Sequence, residues 1–354
     1  MDDTKIIKTF IDLAKIPSPS GQEDKIRKFI ISELKNKVDE LFIDNAGNLY
    51  LKIKAQSKKS LLFSAHLDTV NPSGKQKIII KDNFITGEGK YILGGDNKLT
   101  VAVIVELIKN LKRRKDLNLE IIFSTKEETD SSLRNFPKQK ILAKEALVAD
   151  LSMPIGNVMI AGSFVGGYSL EVYGQGGHAR LLEKNITHPL SFLEEFIKKI
   201  PYGKINKNTI INIAIIKMGE SYNSIPSKLY FTGEIRTFNK KDYEVFFQKI
   251  KLYSQKISKK LNLGINLNFY PYCHGYKLTE KNLILIKKVF KNLNIPYIPI
   301  KSYSVGDFNI LNQWGIKTIN IANGNIDAHT VNEKVPIDAL LKIYKIFENY
   351  YFNY

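Results

Sequence analysis

Residues 60–70 read Ser-Leu-Leu-Phe-Ser-Ala-His-Leu-Asp-Thr-Val, an apolar run that ends in a histidine and an aspartate. Apolar runs of this kind between helical patterns are typical of buried parallel strands in an α/β sheet. Residues i and i+2 of an extended chain face the same way, so His66 and Asp68 share one side. A carboxylate there can orient the imidazole as a metal ligand. The same tripeptide is also compatible with a histidine that only ends a strand.

Three further apolar runs also lead to ligand-type side chains: residues 119–124 before Glu127 and Glu128, residues 146–149 before Asp150, and residues 317–322 before His329. Open α/β sheets place their active groups beyond the carboxyl ends of the strands. We therefore expect these side chains to converge. The pattern predicts an α/β fold whose mainly parallel central sheet is flanked by helices.

A different pattern occupies the middle of the chain. It predicts strands at 168–173, 209–218, 228–237 and 264–269, and helices at 188–200 and 241–261. The order β-α-β-β-α-β is that of a ferredoxin-like unit. The sequence therefore predicts a first α/β domain of residues 1–160 and 272–354, interrupted by an inserted α+β domain of residues 161–271.

Residues 93–98 read Leu-Gly-Gly-Asp-Asn-Lys and precede a helical pattern at 101–111. The two glycines permit a close backbone approach, and Asp96 lies where a helix begins. Asp96 is therefore either an ordinary helix cap or a carboxylate that bridges two metal ions with one oxygen on each.

Glu127 and Glu128 are adjacent carboxylates near the end of a predicted buried strand. They repel each other and lose solvation there unless a cation compensates. In the metal interpretation Glu128 is a ligand, and Glu127 stays uncoordinated as the proton acceptor. If the strand ends in solvent, the pair is an ordinary charged turn. Oxygen and nitrogen ligands without thiolate favour zinc, with cobalt or manganese as substitutes.

Together these segments resemble the dizinc metallopeptidase family of tripeptidase T, glutamate carboxypeptidase and succinyl-diaminopimelate desuccinylase. The resemblance rests on six landmarks: Ser18–Gly21, His66–Val70, Leu93–Lys98, Glu127–Glu128, Asp150 and His329–Glu333. The segment at 93–98 is most similar to the tripeptidase T branch. The resemblance implies a zinc-exopeptidase-like fold and two Zn2+ ions, with Co2+ or Mn2+ as substitutes.

The resemblance also implies how the ligands are shared between the two ions. His66, Glu128 and Asp96 match the ligands of one ion, while Asp150, His329 and Asp96 match those of the other. Each ion then has one histidine, one terminal carboxylate and the shared aspartate.

The same resemblance implies that residues 1–160 and 272–354 form a zinc-binding catalytic domain and that the inserted domain of residues 161–271 is a lid. It also implies further roles. Glu127 matches the general base that activates a zinc-bridging water, and Asp68 matches the residue behind the first histidine. On the lid, His178, Asn223 and Arg236 match residues that bind substrate, although each is also compatible with a turn or surface position. Many relatives dimerise through this lid, so we expect a homodimer.

Among the places where the chain departs from the family pattern, two lie directly beside proposed ligands. Residues 129–132 stand where glycines are common, and Asn97 stands where a second aspartate is frequent. Neither departure removes a proposed ligand, so we expect them to affect the substrate pocket. Gly306 and Asp307 fall in a loop that resembles the substrate-side wall.

The composition limits the remaining alternatives. A chain of 354 residues suits two packed domains, and its net charge of +18 comes from scattered lysines, which predicts no nucleic-acid partner. No apolar run approaches the roughly 20 residues that cross a bilayer, so we expect no membrane partner. The single Cys273 cannot form an internal disulfide, which favours the cytoplasm.

Three functions fit the residues. The first is an aminopeptidase of the tripeptidase type that hydrolyses short peptides. The second is an N-acyl-amino-acid deacylase or carboxypeptidase of the same family, in which Arg236 and Asn223 hold a substrate carboxylate. The third is a non-catalytic binding protein on this scaffold.

Overall fold

The computed structural model describes residues 3–75, 77–184 and 186–354. The chain forms two compact units. The first runs to Ile160 and resumes at Lys277–Lys301 and Gly306–Tyr354, and the second comprises Ala161–Tyr276 and Ser302–Val305. Residues 272–276 were expected in the first domain but belong to the second unit, because its last strand continues to Cys273.

The first unit begins with helices and strands that alternate along the chain. In order these elements are α1 (Asp3–Ala14), α2 (Asp24–Leu34), β1 (Glu40–Ile43), β2 (Leu49–Ile53), β3 (Ser60–His66), β4 (Lys77–Lys81), β5 (Phe84–Glu88), α3 (Gly95–Asn110), β6 (Asn118–Ser124), α4 (Glu127–Asp130), β7 (Glu145–Leu151) and β8 (Asn157–Gly162).

The second unit is an antiparallel sheet covered by two helices. Its elements are β9 (Phe164–Tyr173), β10 (Gly177–His178), α5 (Leu190–Lys199), β11 (Gly203–Asn206), β12 (Thr209–Met218), β13 (Ser224–Ile225), β14 (Lys228–Thr237), α6 (Lys240–Leu261) and β15 (Gly264–Cys273). The strand order is β11-β12-β14-β9-β15, and β10 pairs separately with β13. The longer elements follow the predicted order β-α-β-β-α-β, whereas β11 was not predicted because all four of its residues are exposed.

The first unit is completed by the elements β16 (Tyr276–Lys277), α7 (Glu280–Asn292), β17 (Ile298–Ser302), α8 (Asp307–Gln313), β18 (Lys317–Ala322), β19 (Lys334–Pro336) and α9 (Ile337–Asn353). The central sheet has the order β1-β2-β6-β3-β7-β18-β8-β16, with β17 paired to β8. Its middle strands β6, β3, β7 and β18 are parallel to one another.

Burial explains why the middle strands are mainly apolar. Every residue of β3 and of β6 is buried. Helix α3 packs on β3 and β7 and in turn contacts α1 and α9, while α8 packs on β18. The carboxyl ends of the parallel strands therefore lie at one edge of a rigid layer, where they position the side chains that follow them.

Ser20 and Glu23, which have the spacing of a capping box, do not form one. Helix α2 begins at Asp24 without a side-chain cap. The Ser20 hydroxyl instead donates to Asp68 Oδ2 over 2.6 Å, and Glu23 accepts from the backbone N–H of Lys126. The spacing does not produce a cap because both side chains have tertiary partners.

Within the part of the chain that the structure describes, no helix combines the length and the apolar character needed to span a bilayer.

Candidate metal centre

His66 is the last residue of β3, and its side chain is only 3% exposed. Its Nε2 atom lies 3.5 Å from Asp96 Oδ1 and 3.4 Å from Asp150 Oδ1. On the other side of the ring, Nδ1 lies 3.0 Å from the backbone oxygen of Asp68 and 3.5 Å from its Oδ1. Asp68 therefore orients the ring so that Nε2 faces the other two carboxylates.

Asp96 lies between two histidines. Its Oδ1 faces His66, and its Oδ2 lies 3.2 Å from His329 Nε2. Among the described residues, Oδ1 of Asp96 is buried and accepts no hydrogen bond. Helix α3 has Gly94 as its N-cap, so Asp96 is not the cap of that helix. The two carboxylate oxygens thus point to two different places, as a bridging ligand requires.

A buried carboxylate accepts hydrogen bonds from the backbone of the turn that carries Asp96. Glu333 accepts the backbone N–H of Gly94 over 2.6 Å and that of Asp96 over 3.1 Å. A Cβ atom at Gly95 would lie 2.7 Å from a methyl carbon of Val335, so only glycine fits at this approach.

Glu127 and Glu128 lie in the short helix α4 and are not a solvated charged turn. Their backbone N–H groups donate to the two oxygens of Asp68 over 2.9 and 3.1 Å. The Glu128 side chain is 8% exposed, and its Oε1 lies 2.9 Å from His329 Nε2. Burial raises the pKa of Glu127 well above its ordinary value, with further contributions from the charges of Asp150, Asp307 and Glu128.

The ligand-type atoms of the described residues form three overlapping groups, within each of which all atoms lie within 4.8 Å of one another. We name His66, Asp96 and Asp150 the inner trio, and Asp96, Glu128 and His329 the outer trio. A third group joins His66 to Glu127 and Glu128. Glu127 therefore borders both trios.

The pairing of ligands expected from the sequence needs correction. Asp150 groups with His66 rather than with His329, and Glu128 groups with His329. The two terminal carboxylates are therefore exchanged between the ions relative to the expectation. The reason is sheet topology. Strands β3 and β7 are parallel neighbours and bring the side chains near their carboxyl ends together, whereas Glu128 follows β6 on a helix that reaches the loop of His329.

The electrostatics of both trios favour a cation. Burial alone would lower the pKa of His66, but hydrogen bonds with Asp150, Asp68 and Asp96 raise it well above its ordinary value. Asp96 and Glu128 raise the pKa of His329 to about 10. Carboxylates that hold protons on two imidazoles can hold divalent ions in their place. With the unbonded oxygen of Asp96, this oxygen and nitrogen donor set fits two divalent ions.

Sequence reasoning missed several residues that support the ligands. The Asn97 side-chain amide donates to Asp150 Oδ1 over 2.5 Å. The Ser20 hydroxyl binds Asp68. Asp307, expected on a substrate-side wall, is instead buried and accepts the hydroxyl of Ser131. No local pattern signals these contacts, because their partners are distant in sequence.

The three predicted substrate-binding residues lie in the second unit. His178 on β10 pairs with Ser224 on β13, next to Asn223, whose backbone oxygen accepts the N–H of the residue after His178. Both side chains are exposed. Arg236 lies apart from them on β14, where its guanidinium donates to Glu234 over 2.9 Å and to the backbone oxygen of Tyr303 over 3.1 Å.

The chain is similar to several known proteins. A family model described as Peptidase family M20/M25/M40 matches residues 62–353. The uncharacterized protein YqjE of Bacillus subtilis (strain 168) is 24% identical over 97% of this chain and 96% of its own length. Peptidase T of Geobacillus sp. (strain WCH70) is 23% identical over 94% of this chain and 93% of its own.

Two solved structures share the fold. Aminopeptidase PepT from Bacillus cereus superimposes with a TM-score of 0.91 at 23% identity, over 99% of this chain and 98% of that chain. The Bacillus subtilis protein YxeP, described as a dinuclear metal-binding peptidase, superimposes with a TM-score of 0.74 at 17% identity, over 98% and 97%. The predicted α/β fold with its mainly parallel central sheet is therefore confirmed.

Proposed function

The chain belongs to peptidase family M20/M25/M40, and from that premise we propose that it is a two-ion aminopeptidase that acts on short peptides. Family membership makes it a metal-dependent hydrolase and favours the enzyme interpretations over a non-catalytic binding protein. The observation that carries the two-ion part is Asp96, each of whose carboxylate oxygens faces a different histidine. The names of the relatives, peptidase T and aminopeptidase PepT, support the aminopeptidase part.

The inner and outer trios would each hold one ion, with Asp96 shared between them. Zn2+ suits imidazole and carboxylate ligands, and Co2+ or Mn2+ could substitute. When bound, the two ions supply polarisation of the scissile carbonyl and acidify a water molecule.

Glu127 is the proposed general base. Its carboxylate lies beside both trios, and its raised pKa suits a group that takes a proton from water and then delivers it to the leaving nitrogen. The backbone beside the Glu127 carboxylate carries no side chain, because the residue there is Gly306. A Cβ atom at Gly306 would lie 2.6 Å from Glu127 Oε1, so the glycine leaves room for the carboxylate and the water.

Replacing the base separates catalysis from ion binding. Glu127→Ala should abolish hydrolysis of a tripeptide while leaving two ions bound, as measured by steady-state kinetics and plasma spectrometry. Glu88→Ala, which removes an exposed carboxylate, is the matched control and should keep full activity. An active Glu127→Ala enzyme would refute the role of Glu127.

On the second unit we propose that His178 and Asn223 bind the substrate, since they are exposed and adjacent on paired strands. Arg236 is proposed with them, although Glu234 and a backbone oxygen already engage its guanidinium. A substrate carboxylate would have to displace Glu234. That engagement favours the aminopeptidase over the carboxypeptidase or deacylase.

Substrate class is tested by comparing a tripeptide that has a free amine with its N-acetylated form. We expect kcat/KM to be at least about 100-fold higher for the free amine, because a site that binds the amine leaves polar groups unpaired when the amine is blocked. Preference for the acetylated form would instead establish the deacylase alternative.

Two further proposals concern assembly and location. We propose a homodimer through the second unit, which exposes Ile215, Ile216 and Tyr222, and sedimentation analysis of the protein tests it. The cytoplasmic location expected from the single buried Cys273 also stays a proposal.

A further inference from the structure

Asp307 is a buried carboxylate that the proposed mechanism leaves without a role. It begins helix α8 and is 3% exposed. Its Oδ1 accepts the hydroxyl of Ser131, and its Oδ2 accepts the hydroxyl of Ser124. Two hydroxyl groups from another part of the chain therefore solvate this carboxylate.

Ser124 and Ser131 are the two ends of the segment that carries Glu127 and Glu128. Ser124 is the last residue of β6, and Ser131 directly follows α4. A single carboxylate thus joins the beginning and the end of segment 124–131. Hydrogen bonds to an ionised acceptor are roughly twice as strong as those between neutral groups, so this closure fixes the shape of the segment.

A second buried carboxylate holds the same segment at its centre. Asp68 accepts the backbone N–H groups of Glu127 and Glu128 over 2.9 and 3.1 Å. Asp68 follows β3, whereas Asp307 belongs to α8. Anchors from two separate elements therefore determine where the segment lies, and neither anchor alone reaches all of it.

The backbone that carries Asp307 also approaches the Glu127 carboxylate directly. A Cβ atom at Gly306 would lie 2.6 Å from Glu127 Oε1 and 3.2 Å from Asp150 Oδ2. The start of α8 is thus both an anchor for the ends of the segment and a wall beside its catalytic side chain. A shift at Asp307 would move the wall and the segment together.

We propose that Asp307 is a positioning residue that holds Glu127 in place through Ser124 and Ser131. This inference rests on the proposed role of Glu127 as the base. Displacing a catalytic group by about 1 Å can cost about 100-fold in rate. Loss of the anchor should therefore appear in kcat, while ion binding by the two trios persists.

The test compares Asp307→Asn, Ser131→Ala and Ser131→Thr with the unmodified protein, each as the full chain loaded with zinc. Five quantities are measured: kcat and KM for a tripeptide, ions bound per chain, the unfolding temperature, and amide hydrogen exchange of segment 124–131. Exchange reports the mobility of the segment whether or not the enzyme turns over.

We expect Asp307→Asn and Ser131→Ala to lower kcat by roughly 10- to 100-fold and to speed exchange in segment 124–131. KM and ion content should stay within about twofold of the unmodified protein. Ser131→Thr keeps the hydroxyl and should restore both kcat and slow exchange. Ser131→Ala retains Asp307 and keeps the test decisive if Asp307→Asn does not fold.

Three results would overturn the inference. One is an unchanged kcat in both variants, and the second is unchanged exchange in segment 124–131. The third is a fall in kcat that only follows a loss of ions or of unfolding temperature, which would show a merely structural role. If the unmodified protein binds two ions but cleaves no peptide, the proposed function fails instead, and the exchange data still decide whether Asp307 anchors the segment.

Discussion

The inner and outer trios share Asp96 but hold their other ligands in different ways. His66 ends a fully buried strand and is 3% exposed, whereas His329 lies in the loop between β18 and β19 with 46% of its side chain exposed. The φ angle of His329 is +66°, a conformation that residues other than glycine seldom adopt. The inner histidine is therefore placed by the sheet, and the outer one by a loop.

This difference in how the two histidines are held predicts which ion is harder to remove. A ligand that packing already holds loses little freedom when an ion binds, while a loop ligand must be ordered at that moment. Two further residues orient ligands of the inner trio: Asp68 contacts the ring of His66, and Asn97 donates a hydrogen bond to Asp150. We expect the inner ion to bind more tightly and the outer ion to exchange first.

The largest expected effect comes from removing one histidine at a time. His66→Ala should lower kcat/KM by about 10³-fold or more, since the carbonyl polarisation supplied by an ion is worth several kcal/mol. His329→Ala should lose only the outer ion and regain part of its activity in excess Zn2+. Kinetics and plasma spectrometry after desalting check both.

His188→Ala, a histidine outside both trios, is the control and should keep two ions and full activity. If His66→Ala retained two tightly bound ions while His329→Ala retained none, the order of the two sites would be reversed.

The next largest effect is a fall in kcat caused by a steric clash beside the inner trio. In Gly306→Ala the new methyl group would lie 2.6 Å from Glu127 Oε1, so we expect kcat to fall by about 100-fold with both ions retained. Gly264→Ala is the matched control, because its Cβ atom would approach nothing closer than 3.5 Å. Equal activity of the two variants would show that the close approach at Gly306 has no catalytic meaning.

A smaller effect, on ion affinity, is expected at the inner trio alone. Asn97→Ala removes the amide that orients Asp150, and loss of such a partner typically costs 10- to 100-fold in ion affinity. We expect about a tenfold loss for the tighter of the two binding events and none for the weaker. Calorimetric titration with Zn2+ resolves the two events, and equal weakening of both would argue against a separate inner site.

The smallest effect is on the stability of the chelator-treated protein. The pKa of His329 is about 10 in the folded state and about 6.5 when unfolded. Protonated His329 therefore contributes full stability below about pH 6.5, and the contribution is lost as the pH rises through 10. Because the side chain is half exposed, solvent screening keeps it small.

Thermal unfolding between pH 6.5 and 10.5 measures this contribution. The unfolding temperature of the ion-free protein should fall over this range, and it should fall less in His329→Gln, which cannot take up the proton. If the unfolding temperature declined equally in both proteins, the contacts of His329 with Asp96 and Glu128 would contribute nothing to stability.

The sequence predicted the parts of the fold that are buried on both faces. Strands β3, β6, β7 and β18 are mainly apolar runs, and each was found within one or two residues of its predicted bounds. The exposed β11 and the two-residue strands β10 and β13 carry no such signal. Strands β12 and β14 were also found at their predicted bounds although much of β12 is exposed, so a regular apolar pattern, rather than burial alone, made the difference.

The structure brings the five predicted ligands together, and four of them lie at or beyond the end of an apolar run, whereas Asp96 follows two glycines. Their pairing was not predictable from these runs, since it depends on which strands are neighbours and on how far each side chain lies beyond its strand. The departure at residues 129–132 now has a physical reason. The Ser131 hydroxyl binds Asp307, and the Ser132 hydroxyl binds Asn48 over 2.7 Å. These partners lie 176 and 84 residues away, beyond the reach of any local pattern.

The most direct test of the bridging role is the ion content of Asp96→Ala beside that of the unmodified protein, measured by plasma spectrometry after dialysis against Zn2+ and desalting. Since one carboxylate serves both trios, we predict two ions per unmodified chain and less than one per Asp96→Ala chain. Two ions retained in Asp96→Ala, or a single ion in the unmodified chain, would contradict the account.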